Sequence, residues 1–60
     1  MREMTVEEWG NAIFNKIFTV VGVKYEQATT TVYDTLTGKT YNATYNEKTK
    51  KLELEEENDE

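Results

Sequence analysis

One stretch, Thr5–Val21, is the only part of the 60-residue chain that is long and apolar enough to cover a hydrophobic core. Apolar residues recur along it at helical spacing, so that one side of a helix would be apolar. That side carries Val6, Trp9, Ile13, Ile17 and Val20. Thr5 is followed three residues later by Glu8, which is the pattern of a capping box at a helix N-terminus. The stretch therefore predicts one amphipathic helix that begins after Thr5.

The end of this helix is less sharply defined by the sequence. Gly22 can take the left-handed conformation that closes many helices, whereas the β-branched run Thr19–Val21 suits a strand equally well. We therefore expect the helix to end between Phe18 and Val21. Gly10 lies within the apolar side, and a close approach of the sheet backbone would explain a glycine there.

After Gly22 the spacing of apolar residues changes to that of β-strands, with threonine, tyrosine, valine and alanine dominating. Turn residues follow at Asp34–Lys39 and at Asn46–Thr49. These patterns predict an α+β fold in which one N-terminal helix packs on a three-stranded antiparallel meander (α-β-β-β). The predicted strands are Ala28–Asp34, Lys39–Tyr45 and Lys50–Glu55.

The second predicted hairpin, Tyr45–Glu56, resembles the final hairpin of the immunoglobulin-binding domain of protein G. It has the same tyrosine, the same Thr49–Lys50 pair after the turn, and apolar residues at alternate positions. The similarity covers about a fifth of the chain, Ala43 stands where that family has a tryptophan, and here a helix comes first. The resemblance implies a hairpin at these residues and nothing about antibody binding.

Charge is distributed unevenly along the chain. The net charge is -5, yet residues 1–54 contain seven acids and seven bases, so the excess lies entirely in Glu55–Glu60. A short segment of like charges has nothing to bury. We therefore expect a domain at residues 1–55 and a disordered acidic tail at residues 56–60. The tail either keeps the protein soluble or reaches into a basic groove on a partner protein.

The residue types needed for most enzyme chemistry are missing. The chain contains no histidine, cysteine or serine, its glycines are scattered, and its carboxylates show no catalytic or calcium-binding spacing. We predict no catalytic, cofactor or metal site, and no enzyme activity. No apolar run is long enough to span a membrane, and the first residues lack the pattern of a signal peptide. The expected location is the cytoplasm.

Three surfaces are candidates for binding a protein. The first is a helix flank formed by Phe14 and Phe18, and the second is the uncharged segment Ala28–Tyr33, which lies at an edge in a three-stranded meander and invites strand addition or a homodimer. The third is the acidic tail. The predicted protein-binding residues are Phe14, Phe18, Thr29, Thr31, Tyr33, Glu55, Glu56, Glu57, Asp59 and Glu60.

These observations favour a non-enzymatic protein–protein interaction module. Small acidic inhibitors or accessory proteins of phages and plasmids, which bind a host protein, are examples of such a module. The alternative is a structural or designed scaffold with no natural ligand, because cap and turn residues this regular are also what a designer would choose. A nucleic-acid-binding domain is disfavoured by the isoelectric point near 4.6, although Lys48, Lys50 and Lys51 cluster near Tyr45.

Overall fold

The structure is a computed structural model that describes residues 2–57. It contains a five-stranded antiparallel sheet and one α-helix, so the predicted three-stranded meander with a single long helix is wrong. The elements in chain order are β1 (Arg2–Thr5), α1 (Val6–Phe14), β2 (Phe18–Lys24), a 3₁₀ turn (Tyr25–Gln27), β3 (Thr29–Asp34), β4 (Thr40–Asn46) and β5 (Lys51–Glu56). The strands are arranged in the order β1-β5-β4-β3-β2.

The start of α1 confirms the predicted capping box. The backbone amide of Glu8 donates to Thr5 Oγ1 over 3.1 Å, and the amide of Thr5 donates to Glu8 Oε1 over 2.9 Å. Each side chain thus satisfies an amide that has no partner within the helix. Glu7 and Glu8 also place negative charge in the first turn, where the helix dipole favours it.

The predicted helix end is wrong, because α1 stops at Phe14 and Gly22 lies within β2. Lys16 takes the left-handed conformation with φ 62°. Its amide donates to the Ile13 carbonyl over 3.1 Å, and the amide of Ile17 donates to the Ala12 carbonyl over 2.9 Å. These two bonds form a Schellman motif, which ends the helix at a residue that the sequence does not mark with a glycine.

Two strands of the sheet, β1 and β2, were not predicted from the sequence. The segment 18–24, expected to include the helix end, instead pairs with β3 at every residue except Val21. The segment Arg2–Thr5 pairs with β5, with Met4 opposite Leu52. Because β1 and β2 form opposite edges of the sheet, α1 carries the chain across one face from one edge to the other.

The two hairpins predicted from turn chemistry are present. Asp34 Oδ1 accepts the amides of Leu36 (2.8 Å) and Thr37 (3.3 Å), and Gly38 takes a φ of 77° in the turn between β3 and β4. In the turn between β4 and β5, Asn46 plays the same role and the amide of Lys50 donates to its carbonyl over 2.7 Å. Asx turns of this kind replace backbone bonds at the ends of strands.

The hydrophobic core lies between α1 and one face of the sheet. Val32 and Leu54 are the most deeply buried large side chains among the described residues. Trp9 on the helix packs against Phe18 with ring centroids 5.8 Å apart, and Phe18 packs against Tyr41 at 6.4 Å. Trp9, Ile13, Ile17 and Tyr41 are partly buried at its margin. A nine-residue helix covers only part of a five-stranded sheet, so some apolar residues stay exposed.

The predicted close approach of the sheet backbone to Gly10 is wrong. A Cβ atom built at this position meets no atom within 4 Å. The residue lies on the exposed part of α1 rather than against the sheet, so packing gives no reason for a glycine.

Candidate protein-binding surfaces

The polar groups buried in this fold serve its structure. Asp34 is buried, but its carboxylate accepts the two turn amides of Leu36 and Thr37. Within residues 2–57, every buried side-chain nitrogen and oxygen has a hydrogen-bond partner. No group of three or more acidic side chains in that range is arranged to hold a metal ion.

The most apolar exposed segment lies along β2, which is an edge strand. Val20 and Val23 lie on the helix side of the sheet opposite Val32 and Thr30, yet both are about half exposed because α1 ends before reaching them. The pairing with β3 skips Val21, which is 58% exposed. Tyr25 follows directly and is also exposed. We call Val20, Val21, Val23 and Tyr25 the β2 surface.

The predicted edge at Ala28–Tyr33 is wrong. These residues belong mainly to β3, which lies between β4 and β2 and has a neighbour on each side. Thr29 and Thr31 are buried, and their hydroxyls bond to Thr44 Oγ1 (3.0 Å) and Asn42 Oδ1 (2.7 Å) across the strand pair. Tyr33 remains exposed on the same face. Strand addition at β3 is excluded, because β2 occupies that position.

Phe14 and Phe18 do not form the common binding surface that was predicted on one flank of the helix. Phe14 ends α1 with 84% of its surface exposed, whereas Phe18 begins β2 with 3% exposed and lies in the core. A single long helix would have placed both on one side, four residues apart. The left-handed turn at Lys16 separates them.

The edge of the sheet opposite β2 is acidic. Glu3 on β1 lies directly opposite Glu53 on β5, and Glu55 and one base, Lys51, lie on the same face as Glu53. Like charges placed directly opposite each other destabilise a strand pair. The one ion pair within residues 2–57 lies elsewhere, between Lys39 Nζ and Glu56 Oε1 at 3.6 Å.

Strand pairing reaches further into the acidic C-terminal segment than expected. Glu55 and Glu56 belong to β5 and lie opposite Asn42 and Tyr41. The amide of Glu57 donates to the Thr40 carbonyl over 2.8 Å. The remaining predicted binding residues, Asp59 and Glu60, lie outside the described residues.

The surface also contains grooves, including two on opposite sides of the sheet. One, of about 430 Å³, lies between α1 and the loop after β3, with an apolar floor that includes Met4, Phe18 and Leu36. The other, of about 230 Å³, lies on the face without the helix and is lined by polar side chains such as Lys24, Asn42 and Glu53. Neither groove gathers several charges of one sign, so neither specifies a ligand.

The sequence also indicated a strand at β2, but the prediction of a long helix took precedence over it. The segment Phe18–Val23 has no charge, no proline and four β-branched residues, which is typical of a strand. The valines are exposed because α1 ends at Phe14 and the segment that follows forms an edge strand.

No helix among residues 2–57 has the length and apolar character that crossing a membrane requires. Comparison of the chain with protein-family models, with curated proteins and with solved structures finds no match.

Proposed function

We propose that the chain is a non-enzymatic protein-interaction module that binds a protein strand through the β2 surface. The observation that carries this proposal is the edge position of β2 combined with the exposure of three of its valines. An edge strand offers a row of backbone donors and acceptors that an added strand can satisfy. Binding would remove the valines from water, and burial of apolar surface stabilises a complex by about 25 cal/mol per Å².

The contrast with the other edge supports this choice. β1 has only four residues, and two of them, Arg2 and Glu3, are charged. Short, charged edge strands are ordinary protection against unwanted pairing. β2 has seven residues and no charge before Lys24, so its side chains do not oppose pairing.

The acidic edge would favour a partner that also carries positive charge. Glu3, Glu53 and Glu55 outnumber Lys51 on the face of β1 and β5 without the helix, and contact with a basic surface would reduce the repulsion between the three carboxylates. Contacts of this kind affect the association rate and weaken with salt. A small acidic inhibitor or accessory protein fits this combination of an apolar and an acidic edge.

Affinity capture with three forms of the full chain tests the proposal: the unchanged protein, Val21→Lys and Val6→Lys. Val6 is the matched control, because it has the same side chain and a similar exposed fraction, 53% against 58%, but lies at the start of α1. Circular dichroism first verifies that all three are folded. We expect proteins captured by the unchanged chain and by Val6→Lys to be lost with Val21→Lys, and direct titration of each purified protein then verifies binding.

Capture of the same proteins by all three forms would show that β2 is not the binding site. If the unchanged chain captures nothing, the alternative of a scaffold without a natural ligand gains support. Repeating the capture in about 1 M salt, where charges are screened beyond about 3 Å, measures the contribution of the acidic edge.

A further inference from the structure

We infer that the protein binds an amphipathic helix of a partner protein beside α1, on the part of the sheet that α1 leaves uncovered. The inference goes beyond the proposed function, because a strand added to the edge of β2 lies in the plane of the sheet and does not cover this face. The site has two walls. One consists of the sheet residues Val20, Val23, Thr30 and Tyr45, which we call the open corner, and the other is the adjacent flank of α1.

The open corner is an apolar surface shared by three neighbouring strands. Val23 on β2 lies opposite Thr30 on β3, which lies opposite the core residue Ala43 on β4, so all three face the helix side of the sheet. Tyr45 follows Ala43 by two residues and therefore points to the same side, where it is 45% exposed. Val20 and Val23 are each 48% exposed. No residue of the open corner is charged.

The flank of α1 toward the open corner is apolar, whereas the other flank is polar. Glu8, Asn11 and Asn15 line the groove beside the loop after β3, at the end of β3 away from the open corner. Gly10 lies at least about 100° from each of these three around the helix axis, next to Ile13. Gly10 is exposed and Ile13 is only partly buried, so this flank is accessible to a partner.

Gly10 is the residue that indicates a helix as the occupant. A Cβ atom at this position would meet nothing within 4 Å, so packing within the chain does not require a glycine, and glycine destabilises a helix. Packed helices have axes about 8 to 10 Å apart, at a distance that depends on the side chains at the contact. A glycine on this flank allows the backbone of a second helix to approach closely.

The dimensions of the site also fit one helix. β2 and β4 are two strand spacings apart, or about 10 Å, and a helix with its side chains is about 10 to 12 Å wide. The open corner and the flank together form an apolar patch of about 300 to 600 Å², which is less than the about 800 Å² that each partner contributes to a standard complex. A single short helix matches this area better than a second folded copy of the chain.

The charges around the site favour a helix with a basic polar side. Three acidic side chains border the site, on the exposed side of α1 and in the two adjoining turns, against two basic ones. The acids are Glu7, Glu26 and Glu47, and the bases are Lys48 and Lys50. Lysine or arginine on the flanks of the bound helix would complement the excess of negative charge.

A synthetic peptide of about 16 residues, with leucine on one face of the helix and lysine at all other positions, tests the site. The full chain contains a single tryptophan, Trp9, which packs on Phe18 and is partly exposed. Binding beside α1 should shift the fluorescence of Trp9 to shorter wavelength and protect it from quenching by acrylamide. We expect a dissociation constant of about 10 to 100 μM, and weaker binding when glutamate replaces lysine in the peptide.

Two variants that introduce the same side chain on opposite flanks of α1 locate the binding site. Gly10→Leu should raise the dissociation constant about tenfold or more, because its side chain would occupy the space that the bound helix needs. Asn11→Leu, on the polar flank, is the matched control and should leave the constant unchanged. Gly10→Ala should weaken binding about threefold, although it removes a residue that destabilises α1. Circular dichroism verifies that each variant is folded.

Absence of any change in Trp9 fluorescence up to about 1 mM peptide would overturn the inference. Equal weakening by Gly10→Leu and Asn11→Leu would do the same, because it would show that the peptide does not bind at the open corner. Sedimentation of the chain alone is measured alongside. A dimer that Gly10→Leu disrupts would make a second copy the occupant and would overturn the assignment to a partner helix.

Discussion

At the scale of single residues, two glycines differ in whether the backbone conformation requires a glycine. Gly38 has a φ of 77° in the turn after β3, a conformation that other residues adopt at a cost. Gly10 lies inside α1, where a Cβ atom would meet nothing within 4 Å. Glycine destabilises a helix interior because it loses more backbone freedom than alanine does. Gly38 is therefore required by the backbone, whereas Gly10 is not.

We expect Gly10→Ala to raise the free energy of unfolding by about 1 kcal/mol. The same substitution at Gly38 is the control and should lower it by about 1 to 2 kcal/mol, because alanine is strained at that φ. Urea denaturation followed by circular dichroism measures both values. A loss of stability in Gly10→Ala would mean that this part of α1 is packed against other atoms.

At the scale of elements, the boundary between α1 and β2 decides which surfaces the protein exposes. The boundary depends on Lys16, a non-glycine residue in the left-handed conformation. It is reinforced by the loop after β3, because the amide of Thr35 donates to the Ile17 carbonyl over 2.9 Å. Once the helix has ended, the β-branched residues that follow are free to pair with β3.

Replacing Lys16 with glycine should raise the free energy of unfolding by about 1 kcal/mol, since glycine adopts φ 62° without strain. Lys24→Gly is the matched control. Lys24 lies in β2 with a φ of -108°, so glycine there should lower the same free energy by about 0.5 to 1 kcal/mol. Equal effects at the two positions would contradict the left-handed cap.

At the scale of the whole molecule, a small hydrophobic core stabilises a sheet of five strands. A domain of this size is expected to be stable by about 3 to 9 kcal/mol, at about 0.05 to 0.15 kcal/mol per residue. The core consists of a few side chains under one short helix, and several large apolar residues remain exposed. Each buried side chain therefore supplies a large part of the total stability.

Leu54→Ala should lower the free energy of unfolding by about 2 to 5 kcal/mol, because Leu54 is 1% exposed and its loss leaves a cavity. Leu36→Ala is the control of the same chemistry at a site that is 77% exposed, and it should change stability by less than about 0.5 kcal/mol. Thermal and urea denaturation measure the free energy of unfolding of both variants. Similar decreases in the two variants would contradict this description of the core.

The features that the sequence determined by itself are those made by neighbouring residues. The capping box of Thr5 and Glu8 and the turns at Asp34 and Asn46 were predictable, since each forms bonds within three residues along the chain. The alternation of Leu52 with polar residues likewise indicated a strand with one buried face.

The tertiary structure alone decided which strands lie at the edges and which apolar residues stay exposed. Val20 fits the apolar side of a helix and the buried face of a strand equally well, and only the turn at Lys16 and the pairing with β3 select the strand. Pairing of β1 with β5 joins residues about fifty positions apart, which no local pattern records. The candidate site on β2 follows from these long-range contacts, because a residue's exposure depends on what the rest of the chain leaves uncovered.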